Sequence, residues 1–192
     1  MDYGKYKNAR NASWQCILDY NINSLPVSVT KIIRQSDNIK LIKNSEIKKL
    51  QNDKSGITIK KKDIFYIIYR DTEPSQRCRF TIAHELGHIF LGHLLINTPA
   101  YRTFDVRDGN ESAANVFARD LLAPACVLHE LRITDARSIA KMCNISLEAA
   151  IFRENRMKEL ELRNAWYQNP MEKQVYKQFE MYIKNKKRGV IR

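Results

Sequence analysis

Five residues, His84-Glu85-Leu86-Gly87-His88, constrain this chain more than any others. Around them Phe80, Ile82, Leu86, Ile89, Phe90 and Leu94 recur at helical spacing, so Gln76 to Leu95 reads as one helix with a buried face. Each residue of a helix advances about 100°, which sets His84 and His88 about 40° apart and one turn from each other. Two imidazoles in that relation can bind one zinc ion, and Glu85 between them can reach a water at the metal. The bland alternative is two surface histidines beside a glutamate. The apolar residues that would bury the rest of the helix argue against it.

A catalytic zinc site needs a third protein ligand and an open position. His93, Asp105, Asp108, Glu111 and His129 supply the chemistry. On a continuous helix His93 lies about 140° from His88, so it cannot converge with the pair unless the helix ends first. The longer H-E-x-x-H-x-x-G-x-x-H pattern fails, because Leu91 and Leu94 stand where it needs Gly and His. Glu111 is better placed, since it opens a second predicted helix, to Leu122, whose Ala113, Ala114 and Ala118 would let two helices approach closely. Asn115, one turn on, shares the face of Glu111 and is positioned to support a ligand from behind. A first-turn acid is also favoured by the helix dipole alone, so spacing leaves the third ligand open.

The run Arg79 to His88, followed by Glu111-Ser112-Ala113-Ala114-Asn115-Val116-Phe117-Ala118 and Leu121-Leu122-Ala123-Pro124, resembles the ImmA/IrrE family of zinc metallo-endopeptidases. That family pairs H-E-x-G-H with E-x-x-A-N-x-F-A and a closing L-L-x-P. A looser likeness reaches Ala9 to Trp14 and Leu25-Pro26-Val27, so the resemblance spans most of residues 9–130. Ala123 departs from it, standing where many relatives carry Met. The resemblance implies His84, His88 and Glu111 as zinc ligands and Glu85 as the catalytic carboxylate. It also implies a helix-turn-helix repressor as protein substrate, cut in an anti-repressor role in a mobile element, prophage or stress response. A sheet edge at the strand before the motif helix would align the substrate by main-chain pairing. The second oxyanion donor is undetermined among Tyr101, Arg102 and His129.

The expected fold is α+β and zincin-like: mostly helical, with a small antiparallel sheet packed on the H-E-x-x-H helix, and C-terminal helices. Helices are expected at 9–20, from Pro26, at 46–50, 76–95, 111–122, 127–131, 134–142, 147–162 and 171–183. Asn38 to Ile42 is a strand candidate, and Ile57–Lys60 and Ile64–Tyr69 form a hairpin. Trp14 is expected to be buried, Ser45 and Ser146 to cap helices, residues 97–109 to form a loop, Asp108 or Asn110 to cap the helix that opens at Glu111, and the basic tail 184–192 to fray. The division expected is a peptidase domain at 9–132 and a helical segment at 134–192.

Residues 139–150 carry a degenerate helix-turn-helix pattern, and the net charge of +12 suits an acidic partner or nucleic acid. Asp135, Glu148 and Glu154 suit phosphate contacts poorly, which favours a protein partner there over DNA. No run approaches the roughly 18 apolar residues of a membrane span. Met1-Asp2-Tyr3-Gly4-Lys5 opens no apolar segment, so a cytoplasmic protein is expected. The four cysteines show no C-x-x-C spacing and read as buried free thiols. The alternative function is a metal-binding regulator that holds nucleic acid or a partner without proteolysis. Glu85 favours the enzyme, because a sensing site needs no carboxylate at the water.

Overall fold

The structure, a computed structural model, describes residues 6–94 and 104–190, with only the backbone at 104–108 and 190. It is an α+β protein, mostly helical with one three-stranded sheet among the described residues. The chain divides into two compact units: residues 1–13 with 29–118, and residues 14–28 with 119–192.

In the first unit, β1 (Ile39–Lys43), β2 (Gly56–Lys61) and β3 (Ile64–Tyr69) form the sheet in the order β1-β3-β2. The expected hairpin is present, with Ile57 opposite Ile68 and Thr58 opposite Ile67. The sheet is mixed rather than antiparallel, because β1 runs parallel to β3. The reason lies in β3, Ile-Phe-Tyr-Ile-Ile-Tyr, which is apolar without alternation. Such a strand needs cover on both edges and both faces and takes the central place, leaving β1 and β2 at the edges.

Helix α4 (Ser75–Phe90) packs on this sheet: the backbone of Gly56 in β2 lies so close that a Cβ there would collide with the Thr81 methyl. Its buried face carries Ile82, Ala83 and Leu86. The helix stops short of Leu95 because Leu91 closes it and Gly92 takes a positive φ of 71°. Helix α5 (Phe104–Leu122) begins well before Glu111, so neither Asp108 nor Asn110 is a cap. An internal glycine costs only about 1 kcal/mol, too little for Gly109 to end a helix that Ala114 and Phe117 pin by full burial further on.

Helix α1 (Lys7–Asp19) starts two residues earlier than expected, and Trp14 is half-buried rather than buried. Helix α2 (Val29–Gln35) starts after Pro26, with Val29, Ile32 and Ile33 inward as expected. Helix α3 (Asn44–Ile47) comes earlier than 46–50. Ser45 does not cap it; its hydroxyl and amide both donate to the Asp71 carboxylate, 2.6 and 3.0 Å away.

The second unit is helical, with α6 (Ala125–Glu130), α7 (Ala136–Cys143), α8 (Leu147–Leu162) and α9 (Pro170–Val190). Asp135 and Ser146 cap α7 and α8 by accepting from the amides of Ser138 and Ala149. Its core includes Ile17, Leu128, Ile139, Val175 and Phe179. Arg153, 5% exposed, donates to Asp120 at 2.7 Å, which removes it from any surface role on α8. Helix α9 continues to Val190 where a frayed tail was expected. Lys184 pairs with Glu180 one turn back, and Lys187 and Arg188 sit at the C-terminal end, where the helix dipole favours cations. Cys16, Cys126 and Cys143 are buried and Cys78 is half-buried, and none of the four is in a disulfide. Among the described residues no helix is long and apolar enough to cross a membrane.

Candidate metal centre

His84 and His88 lie on α4 and Glu111 on α5. These two helices approach closely because of Gly87. A Cβ there would stand 3.1 Å from the Ala114 Cα and 3.2 Å from its carbonyl oxygen, so any larger residue at 87 would press on the α5 backbone. Phe90 stacks on Phe117 with ring centroids 5.9 Å apart and extends the same contact.

The two imidazoles and the carboxylate converge. His84 Nε2 is 3.1 Å from His88 Nε2 and 3.2 Å from Glu111 Oε2, and His88 Nε2 is 3.5 Å from Glu111 Oε1. Around a tetrahedral zinc with bonds of about 2.0–2.1 Å, ligand atoms stand roughly 3.3 Å apart. The three donors therefore already have the spacing of a coordination shell, and their chemistry, two nitrogens and one oxygen, suits zinc. Among the described residues this is the one group of its kind that could hold a metal ion.

The electrostatics follow from the convergence. Hydrogen bonds from His84 and then His88 hold the Glu111 carboxyl well below the usual carboxylate range, against a smaller opposing effect of burial. For His84, burial is the largest single influence and pulls the pKa down. The hydrogen bond with Glu111 and the charges of Glu85 and Glu111 together outweigh it, so the net shift is upward. A site that stabilises positive charge on the His84 imidazole is one that favours a cation.

Each central side chain has a partner at its far end. Asn115 Oδ1 lies 2.9 Å from His84 Nδ1, so the asparagine that shares the Glu111 face is brought to the first histidine. Thr58 on β2 donates from Oγ1 to Glu85 Oε2 at 2.7 Å, and both residues are buried. His93 Nδ1 lies 3.0 Å from His88 Nδ1. Thr58 and His93 were not assigned these places from sequence. Thr58 left no signal beyond sharing a strand face with Gly56, two residues back. For His93 the signal was Gly92, which ends the helix and voids the 140° argument.

The centre opens on a cavity of about 620 Å³ lined by Gly56, Thr58, Phe80, Glu85 and the three convergent residues. The strand at its side is β2. The Arg70 amide donates to the Ser55 carbonyl, so pairing with β3 falls on alternate residues and the main-chain groups of Gly56 and Thr58 point to the open edge. β3, expected to offer that edge, lies in the middle of the sheet and cannot.

Of the other residues considered, Tyr101 and Arg102 lie outside the described residues, as do the side chains of Asp105 and Asp108. His129 belongs to a cluster of the second unit. Its ring stacks on Trp166 at 4.0 Å, and its Nδ1 lies 3.7 Å from Glu161.

No curated protein matches the chain. Among solved structures, a Mycobacterium tuberculosis transcriptional regulator is similar in fold, with a TM-score of 0.55 at 15% identity. The match covers 76% of this chain and 46% of that one, so this chain spans less than half of its neighbour's length. The sequence pattern of the Peptidase_M78 family, described as the IrrE N-terminal-like domain, matches residues 41–155. That stretch takes in the sheet from Leu41 onward, both helices that carry the convergent residues, and the first half of α8; the chain belongs to this family of metallopeptidases.

Proposed function

We propose that this protein is a cytoplasmic zinc-dependent endopeptidase, zincin-like in architecture, that cleaves a helix-turn-helix transcriptional repressor. The observation that carries the reading is the convergence of His84, His88 and Glu111 at coordination spacing, with Glu85 beside them at the cavity. These three residues would hold zinc, whose chemistry when bound is to polarise the scissile carbonyl and make water more acidic.

The remaining steps belong to the chain's own groups. Glu85 takes the proton of the attacking water and later delivers it to the leaving amine. Thr58 holds one oxygen of that carboxylate and leaves the other for the proton. Asn115 accepts from His84 Nδ1–H and so keeps the Nε2 lone pair directed to the centre. The open edge of β2 takes an extended substrate segment by main-chain pairing, with Gly56 and Thr58 opposite it.

Residues 9–132 act as the peptidase segment in this scheme, and residues 134–192 grip the protein substrate. Supporting the second part, Leu147, Ile151 and Phe152 are each about half exposed at the start of α8, an apolar surface suited to a protein rather than to phosphates.

The test is cleavage of a candidate helix-turn-helix repressor, co-expressed with the wild-type protein or with Glu85→Gln. Loss of cleavage in Glu85→Gln with zinc retained supports the enzyme. Wild-type control of the repressor that survives in Glu85→Gln supports a metal-binding regulator without proteolysis.

A further inference from the structure

His93 lies five positions after His88, a spacing that parts two side chains on a continuous helix. The backbone after Phe90 reverses that outcome. Gly92 adopts φ 71°, its amide donates to the Ile89 carbonyl at 3.0 Å, and the His93 amide donates to the His88 carbonyl at 3.0 Å. These two bonds form a Schellman motif, which turns the chain back over the last helical turn. His93 is thereby carried over His88. It is 9% exposed, its ring centroid stands 5.0 Å from that of His88 at 70°, and the two Nδ1 atoms are 3.0 Å apart.

Two Nδ1 atoms at that distance share a hydrogen bond only if one of them carries the proton. If His93 carries it, neutral His88 must hold its own proton on Nε2, the atom that faces Glu111 and His84. That proton would sit where a metal binds. If His88 Nδ1 carries it, Nε2 presents a lone pair to the centre. We propose that His93 is a positioning residue of the metal centre: it accepts from His88 Nδ1–H and thereby holds the tautomer and ring angle with which His88 meets the metal. The role rests on the zinc centre proposed above. It parallels that of Asn115 at His84 and makes His93 a neutral imidazole protonated on Nε2.

Zinc affinity measured by competition with a chromophoric chelator tests this on the full chain, using wild type, His93→Leu and His93→Asn. Asparagine places an acceptor oxygen near the position of Nδ1; leucine fills space without one. His93→Leu is expected to bind zinc about 10–100-fold more weakly, the usual loss when a ligand's outer partner is removed. His93→Asn is expected to stay close to wild type. Nitrogen NMR of zinc-loaded wild type, labelled at histidine, is expected to place the His88 proton on Nδ1, with coupling across the bond to His93. This spectrum decides the matter even if His93→Leu fails to fold. Zinc bound equally by wild type and a folded His93→Leu, His93→Asn as weak as His93→Leu, or a His88 proton on Nε2 would each overturn the role of His93 alone. Wild type that takes up no zinc would overturn the centre, and this role with it.

Discussion

A buried carboxylate and two imidazoles keep useful geometry only if something holds them from behind, and in this protein Thr58, Asn115 and His93 do so. The simplest prediction at the scale of single residues is about one zinc per purified chain, set by one trio of donors. Metal analysis of a His84→Ala, His88→Ala double variant should find it gone; full retention would reject the site. Glu85→Gln keeps the size of the side chain and removes the base. Its zinc content should match wild type while cleavage of the substrate falls by about 10²-fold or more. Thr58→Val deletes the donor to Glu85 and keeps the volume. It should lower the cleavage rate without altering zinc content, and Thr58→Ser should restore it. A Thr58→Val protein as fast as wild type would show that the carboxylate needs no tether.

Between elements, the decisive contact is the approach of α4 to α5 at Gly87. Gly87→Ala would press a methyl to 3.1 Å from the Ala114 Cα, and neither helix backbone can yield there as a side chain could. Overpacking of this kind costs about 1–3 kcal/mol. It also pushes Glu111 away from the histidines. Thermal melts should therefore show a lower midpoint in chelator, and a smaller gain on adding zinc than wild type shows. A variant that loses stability yet gains as much from zinc would separate the packing of the helices from the assembly of the centre. The same reasoning explains why α4 sits flush on β2: a Cβ on Gly56 would collide with the Thr81 methyl and come within 3.3 Å of Glu85 Oε1.

Over the whole molecule, the proposed grip on a protein substrate calls for surface away from the cavity. Deleting residues 134–192 is a poor test of it, because residues 14–28 belong to the same compact unit and would lose their cover. Ile17 in that stretch is fully buried, and Gln178 donates to the carbonyls of Ile17 and Ile22. Replacing the exposed Leu147, Ile151 and Phe152 with serine leaves that core intact. The triple variant should keep its zinc and its melting temperature but lose most cleavage of the repressor. Gel shifts from 50 to 200 mM salt supply the opposing arm. DNA binding that weakens steeply with salt and disappears in this variant would favour a nucleic-acid partner.

The histidine pair was legible in the chain because its logic is local, two histidines one turn apart on a helix, whereas spacing left the third ligand open and only the resemblance pointed to Glu111. The hairpin, the cap at Ser146 and the α+β class were legible for the same reason, since periodicity and capping chemistry act over a few residues. What the tertiary structure alone decided involves groups far apart in sequence or a change in chain direction. Thr58 reaches Glu85 across 27 positions, and no local rule connects a strand threonine to a helix glutamate. The parallel pairing of β1 depends on which strand is central, a question of burial on two faces rather than of any one strand's pattern. His93 shows the boundary most clearly. A helical projection parts it from His88, and one left-handed glycine brings the two rings together.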